Sequence, residues 1–188
     1  MSLHIEQGWL VGENISRNIS PNFDPRPPTP ISLLVIHNIS LPPGEFGGGY
    51  IDELFTNSLD ATRHAYFGQV ACLRVSAHLL IDRQGHITQY VSFQDRAWHA
   101  GKSLFGGRES CNDFSIGIEL EGTDDQPYTE VQYRQLADVG RCLLQNYPGI
   151  TVENIVGHSD IAAGRKTDPG SSFDWKKFHQ LLAGGSVK

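Results

Sequence analysis

Apolar residues recur along this chain in two rhythms, and the change between them sets out its elements. ISLLVIH (31–37) is a continuous apolar run of strand length, the pattern of a central strand covered on both faces, and it carries His37 at its end. RVSAHLLID and HITQYVSF, separated by RQG, predict a hairpin in which Val75, Ala77, Leu79 and Ile81 alternate with Ser76, His78 and Leu80. In FSIGIELEG (114–122), Phe114, Ile116, Ile118 and Leu120 share one face of a strand, which turns Glu119 and Glu121 to the other. From Thr129 the period lengthens: Leu136, Val139 and Leu143 recur at helical spacing, Thr129 with Gln132 offers a capping box, and NYPG stops the element. YIDELF reads as a short helix with Ile51, Leu54 and Phe55 on one side, and ENIVGH as a short strand ending at His158. FDWKKFHQLLA closes the chain as a helix whose Trp175, Phe178 and Leu182 are expected to pack on the sheet.

Strands in the middle with helices before and after predict a mixed α/β fold, a central mixed β-sheet flanked by helices. At 188 residues and 39% hydrophobic content the chain can bury one good core, so a single domain over 31–183 is expected. Proline-rich RNISPNFDPRPPTP (17–30) reads as extended chain, and residues 1–30 are expected to be an arm packed on that domain.

Charge narrows the partners. A net charge of −6 with no run of lysine or arginine builds no surface for nucleic acid or anionic lipid. No stretch reaches the roughly 18–20 apolar residues of a membrane span. The N-terminus has Glu6 where a signal peptide carries positive charge, and Cys72, Cys111 and Cys142 are odd in number and scattered, so a cytoplasmic protein without a disulfide framework is expected. Three N-I-S triplets carry no weight without a secretory route, and AGKS (100–103) fails as a phosphate loop because Arg96 stands where its first glycine belongs.

What remains is a constellation. His37 and His158 each end a strand-like segment, and Asp168 follows in GHSDIAAGRKTDPG (157–170). Two imidazoles and one carboxylate are a common ligand set for a catalytic zinc with a fourth position open. No short H-x-x-x-H signature ties the three together, so on spacing alone His78 and His99 stay in competition, His78 with the stronger case for a structural role. Glu119 reads equally as a salt-bridged strand residue and Lys166 as a surface lysine. Beside a zinc site the pair acquires complementary work: a carboxylate to take a proton and a cation to hold an oxyanion.

LLVIHNISLPPGEFGG, LRVSAHLLI, RAWHAG, CNDFSIGIELEGTD and GHSDIAAGRKTDPG together resemble the zinc amidase superfamily that includes phage T7 lysozyme and the peptidoglycan recognition proteins. Within it the likeness is to the cytoplasmic anhydromuramyl-L-alanine amidases of cell-wall recycling, and it covers nearly the whole chain. The resemblance implies one zinc per chain on His37, His158 and Asp168, with Glu119 and Lys166 catalytic. It implies a muropeptide site lined by Asn38, Tyr66, Arg74, Ala97, Trp98 and Arg165 and an anhydromuropeptide substrate; a monomer is expected. Two positions depart from the pattern: Ser110 stands where relatives have arginine and Ala163 where they often have proline. A non-catalytic binding protein of the superfamily is the rival reading, but such proteins typically lose a ligand and this chain keeps all three. A periplasmic amidase acting on intact wall is the other, and the absent signal pattern counts against it.

Overall fold

A run as apolar as Leu33–Ile36 can only sit where other elements cover both of its faces, and the computed structural model, which describes residues 3–184, places it so. In chain order the strands are β1 (His4–Glu6), β2 (Trp9–Val11), β3 (Ile15–Arg17), β4 (Phe23–Pro25), β5 (Leu33–Ile39) and β6 (Leu79–Ile81). They continue with β7 (Ile87–Gln89), β8 (Asp95–Ala97), β9 (Leu104–Phe105), β10 (Arg108–Glu109), β11 (Ser115–Glu121) and β12 (Ile155–Gly157). The helices are α1 (Tyr50–Phe55), α2 (Phe67–Val70), α3 (Glu130–Asn146), α4 (His158–Ile161) and α5 (Trp175–Leu182).

The central sheet runs β12-β5-β11-β6-β7-β3. β12, β5, β11 and β6 are mutually parallel, β7 turns back antiparallel to β6, and β3 joins β7 in parallel, so the sheet is mixed as expected. One face, built from Leu34, Ile36, Ile116, Ile118 and Leu120, lies in the main core with Tyr133, Leu136, Val139 and Leu143 of α3. Fully burying such a side chain contributes about 1.5–3 kcal/mol, so this layer is the chief source of stability. The other face carries His37, Glu119 and Glu121 and is covered by loops and the short helices α1 and α2.

α3 begins where the sequence places it. The Thr129 hydroxyl accepts from the Gln132 amide at 3.2 Å while Gln132 Oε1 accepts from the Thr129 amide at 3.0 Å, a reciprocal capping box. The predicted hairpin is shorter than its alternation suggests, because residues 74–78 are not strand. Ser76 and His78 are as buried as Ala77, since the Ser76 hydroxyl donates to the Asn22 carbonyl at 2.7 Å and His78 is bonded at both ring nitrogens. Phe114 also leaves the face expected of it: it precedes β11 at the end of a short 3-10 turn and packs with Leu33, Val35 and Cys111. α5 lies against α3 rather than directly on the sheet, with Leu182 filling the space left open beside Gly140.

Residues 3–30 supply a small hairpin, β1–β2, and the edge strand β3, after which the chain runs extended past β7 and pairs β4 with β8. There the Arg26 guanidinium donates to the carbonyls of Asn112, Asp113 and Asp95.

Candidate active site

The parallel register of β5 on β11 sets Glu119 directly opposite His37. Neighbours in register point to the same face, so an imidazole and a carboxylate stand side by side on the loop-covered surface of the sheet. β12 lies on the other side of β5 and ends one residue before His158, which opens α4. The loop after α4 then returns: Pro169 accepts at its carbonyl from the Tyr128 hydroxyl at 2.7 Å, and the Ser159 amide donates to the Asp168 carbonyl at 3.0 Å, which fixes Asp168 against His158.

The three predicted ligands meet in a triangle. His37 Nδ1 lies 3.0 Å from His158 Nδ1 and 3.1 Å from Asp168 Oδ2, and His158 Nδ1 lies 3.0 Å from the same oxygen. The far nitrogens explain the orientation. His158 Nε2 faces the carbonyl of Ala100 at 3.2 Å, so it carries the hydrogen and leaves Nδ1 a lone pair. Lone pairs and a carboxylate converging at this distance repel unless a cation sits among them. A tetrahedral zinc with bonds of about 2.0–2.1 Å separates its ligand atoms by roughly 3.3 Å, within a few tenths of this triangle, so the donor set fits one zinc ion.

Electrostatics agree with that use. Burial pushes His37 down to about 4, with the neighbouring Asp168 opposing it, so it is held as the neutral ligand form. Asp168 is raised by burial but lowered more by the His158 and His37 rings beside it, and it stays ionised below the usual carboxylate range. Glu119 goes the other way: burial, and then the charge of Asp168, push it well above the ordinary value, with Lys166 pulling back. Its Oε2 is buried and has no partner among the described residues. A carboxyl with a raised proton affinity and an unused oxygen beside a metal triangle is equipped to take and hold a proton.

These groups open on a cleft of about 390 Å3 whose wall includes Asn38, Tyr66, Trp98, His99, Glu119 and Lys166. Of the other expected substrate contacts, Arg74 is exposed and donates to the carbonyls of Ala71 and Leu73. Ala97 is fully buried. Arg165 donates to the carbonyls of Ala100 and Lys102 at 2.7 Å and lines a neighbouring cavity of about 470 Å3 together with Ser110 and Ala163. His78 and His99 stand outside the triangle. His78 accepts from the Gly117 amide at 3.0 Å behind the site, whereas His99 Nδ1 lies 2.9 Å from His37 Nε2. Asp124 was not among the expected site residues: it accepts from the side chain of the cleft residue Asn38 at 2.8 Å and so orients it, a role no local pattern signals. Glu121, although on the Glu119 face of β11, accepts from the Gly47 amide and lines a separate cavity of about 240 Å3.

The sequence model of the N-acetylmuramoyl-L-alanine amidase family matches residues 27–171. The chain is 60% identical over 181 residues to the 1,6-anhydro-N-acetylmuramyl-L-alanine amidase AmpD of Escherichia coli (strain K12), covering 95% of this chain and 97% of that protein. The crystal structure of a selenomethionine derivative of AmpD superposes with a TM-score of 0.90 at 57% identity, over 95% of this chain and 98% of that one. A more distant fold match is the E. coli amidase AmiD in complex with anhydro-N-acetylmuramic acid-L-Ala-D-γ-Glu-L-Lys, with a TM-score of 0.59 and 27% identity, over 99% of this chain and 67% of that one. A match that begins before His37 and ends beyond Asp168, with near-full-length identity of this order, leaves one assignment: the chain belongs to the N-acetylmuramoyl-L-alanine amidase family.

Proposed function

We propose that this amidase cleaves the amide between the lactyl group of 1,6-anhydro-N-acetylmuramic acid and the L-alanine of its stem peptide, as a cytoplasmic monomer in peptidoglycan recycling. The observation that carries the reading is that His37, Glu119, His158, Lys166 and Asp168, scattered along the chain, gather around one cleft inside the family match. Zinc held by His37, His158 and Asp168 would supply Lewis acidity, lowering the pKa of water toward about 7 and polarising a carbonyl oxygen.

Glu119 takes one proton from the attacking water and delivers it to the departing alanine nitrogen; the water oxygen ends in the lactyl carboxyl group, whose remaining proton passes to the freed amine, so the products are a carboxylate and an ammonium. Burial suits Glu119 to that shuttle, because its raised proton affinity lets it keep the proton between the two transfers. Lys166, exposed at the cleft wall, holds the negative charge that develops on the carbonyl oxygen. Tyr66 and Trp98 offer ring faces to the sugar, and Asn38 a side-chain amide held by Asp124. Arg74 and Arg165 serve the stem-peptide carboxylates, and Ala97 contributes only its backbone and small size. With serine at 110, Arg165 and Lys102 are the cations left on the wall of the neighbouring cavity.

The test is turnover of anhydromuropeptide by purified protein with and without a chelator, in competition with the same peptide on a reducing muramic acid and with whole sacculi. Metal-dependent preference for the anhydro substrate is expected. Equal cleavage of sacculi, or no advantage from the anhydro ring, would refute the recycling role while leaving the family chemistry intact.

A further inference from the structure

His99 touches the ligand triangle without belonging to it. His37 directs Nδ1 into the triangle, so as a ligand it carries its hydrogen on Nε2, and the atom 2.9 Å away is His99 Nδ1. His99 must therefore accept there. Its own hydrogen then lies on Nε2, which faces the Ser115 hydroxyl at 3.2 Å. A single run of donors and acceptors, from His37 through His99 to Ser115 on β11, sets the tautomer and the rotation of both rings.

The backbone is shaped to seat the second ring. A Cβ at Gly117 would stand 2.5 Å from both Cγ and Nδ1 of His99 and 2.7 Å from its Cδ2. No left-handed φ calls for glycine at this position. Glycine inside a strand marks a close approach, and here the approaching body is an imidazole laid flat on β11. Neither side can give way. The Gly117 amide donates to His78 Nδ1 at 3.0 Å and its carbonyl accepts from the His78 amide at 3.0 Å, while Asn112 Oδ1 accepts from the amides of His99 and Ala100.

We propose that His99 is a positioning residue for the metal site, holding His37 by accepting its Nε2–H, and that Gly117 is the seat its ring requires. The inference rests on the zinc reading above but concerns a residue outside the ligand triangle. Asparagine at 99 places an oxygen close to where Nδ1 stands, and leucine has a similar volume with no acceptor. Zinc affinity, read by chelator competition, is expected to fall about 10–100-fold in His99→Leu, the usual effect of losing an outer-shell partner. His99→Asn should stay within a few fold of wild type. In the zinc-loaded protein, the slowly exchanging His37 Nε2–H resonance should persist in wild type and His99→Asn and vanish in His99→Leu. Gly117→Ala should weaken zinc binding in the wild-type background and add nothing in a His99→Ala background, a coupling that a merely packed glycine would not show.

Wild-type zinc affinity in folded His99→Leu, or an equal loss in His99→Asn, overturns the positioning role. Additive losses in the Gly117 and His99 pair overturn the seat. Should Gly117→Ala not fold, the leucine and asparagine comparison still decides. If wild type itself binds no zinc, it is the functional reading that fails, and the two failures are separable.

Discussion

At the scale of single residues the proposed roles divide into holding metal and moving charge, and the two kinds of substitution should separate. Replacing His37 or His158 with alanine removes a corner of the triangle and should abolish stoichiometric zinc by elemental analysis. Glu119→Gln keeps shape and metal but loses the proton carrier, so turnover should drop by roughly 100-fold or more. Lys166→Ala should likewise keep zinc and lose about 100- to 1000-fold; near-wild-type rates in either would remove its assignment. His78 makes a different test. Burial, and then the charge of Arg26, push it down to about 3, so the folded protein refuses a proton that the unfolded chain accepts below pH 6.5. Stability therefore rises with pH between about 3 and 6.5, by roughly 1 kcal/mol per unit from this residue. His78→Asn keeps an acceptor for Gly117 but cannot titrate, so urea unfolding at pH 7 and pH 5 should show a difference smaller than wild type by roughly 2 kcal/mol. An unchanged difference would show that His78 titrates freely. The ligand residue types were legible in the chain, because two imidazoles and a carboxylate imply chemistry wherever they meet. Their grouping was not, since 131 residues separate His37 from Asp168, and only the family likeness chose them over His78 and His99.

At the scale of elements, legibility followed the strength of the local signal. Strand β5 was plain because its run is apolar beyond what one covered face needs, β11 because its apolar residues alternate along its whole length, and α3 because its cap and its period agree. Residues 74–78 misled because a buried hydroxyl and a buried imidazole, satisfied by distant partners, look like the polar half of an alternating strand. Phe114 misled because period 2 was extended one residue past the strand's start. The cap gives an element-level prediction: Thr129→Ala deletes the acceptor for the Gln132 amide and should cost about 1 kcal/mol in denaturant unfolding. Its distance from the cleft should leave turnover unchanged, and a loss of activity at full stability would show that α3 reaches the site in some other way.

At the scale of the molecule the metal is a cross-link. Its ligands come from a central strand, the start of a short helix and the loop that leads toward α5, so an ion that binds only the folded state ties the sheet to the C-terminal third. Free zinc at about 100 times its dissociation constant should stabilise the fold by roughly 2.7 kcal/mol, and chelation should remove that increment. Identical unfolding midpoints with and without chelator would mean that the triangle forms no such tie. The same geometry bears on synthesis. His37 leaves the ribosome 131 residues before Asp168, an interval on the order of ten seconds at about 5–20 residues per second. During that interval the nascent chain can display one ligand and later two, but never the closed triangle. A truncated product ending before the last loop is thus a zinc-free product, and metal capture reports, in effect, that translation reached the end of the site.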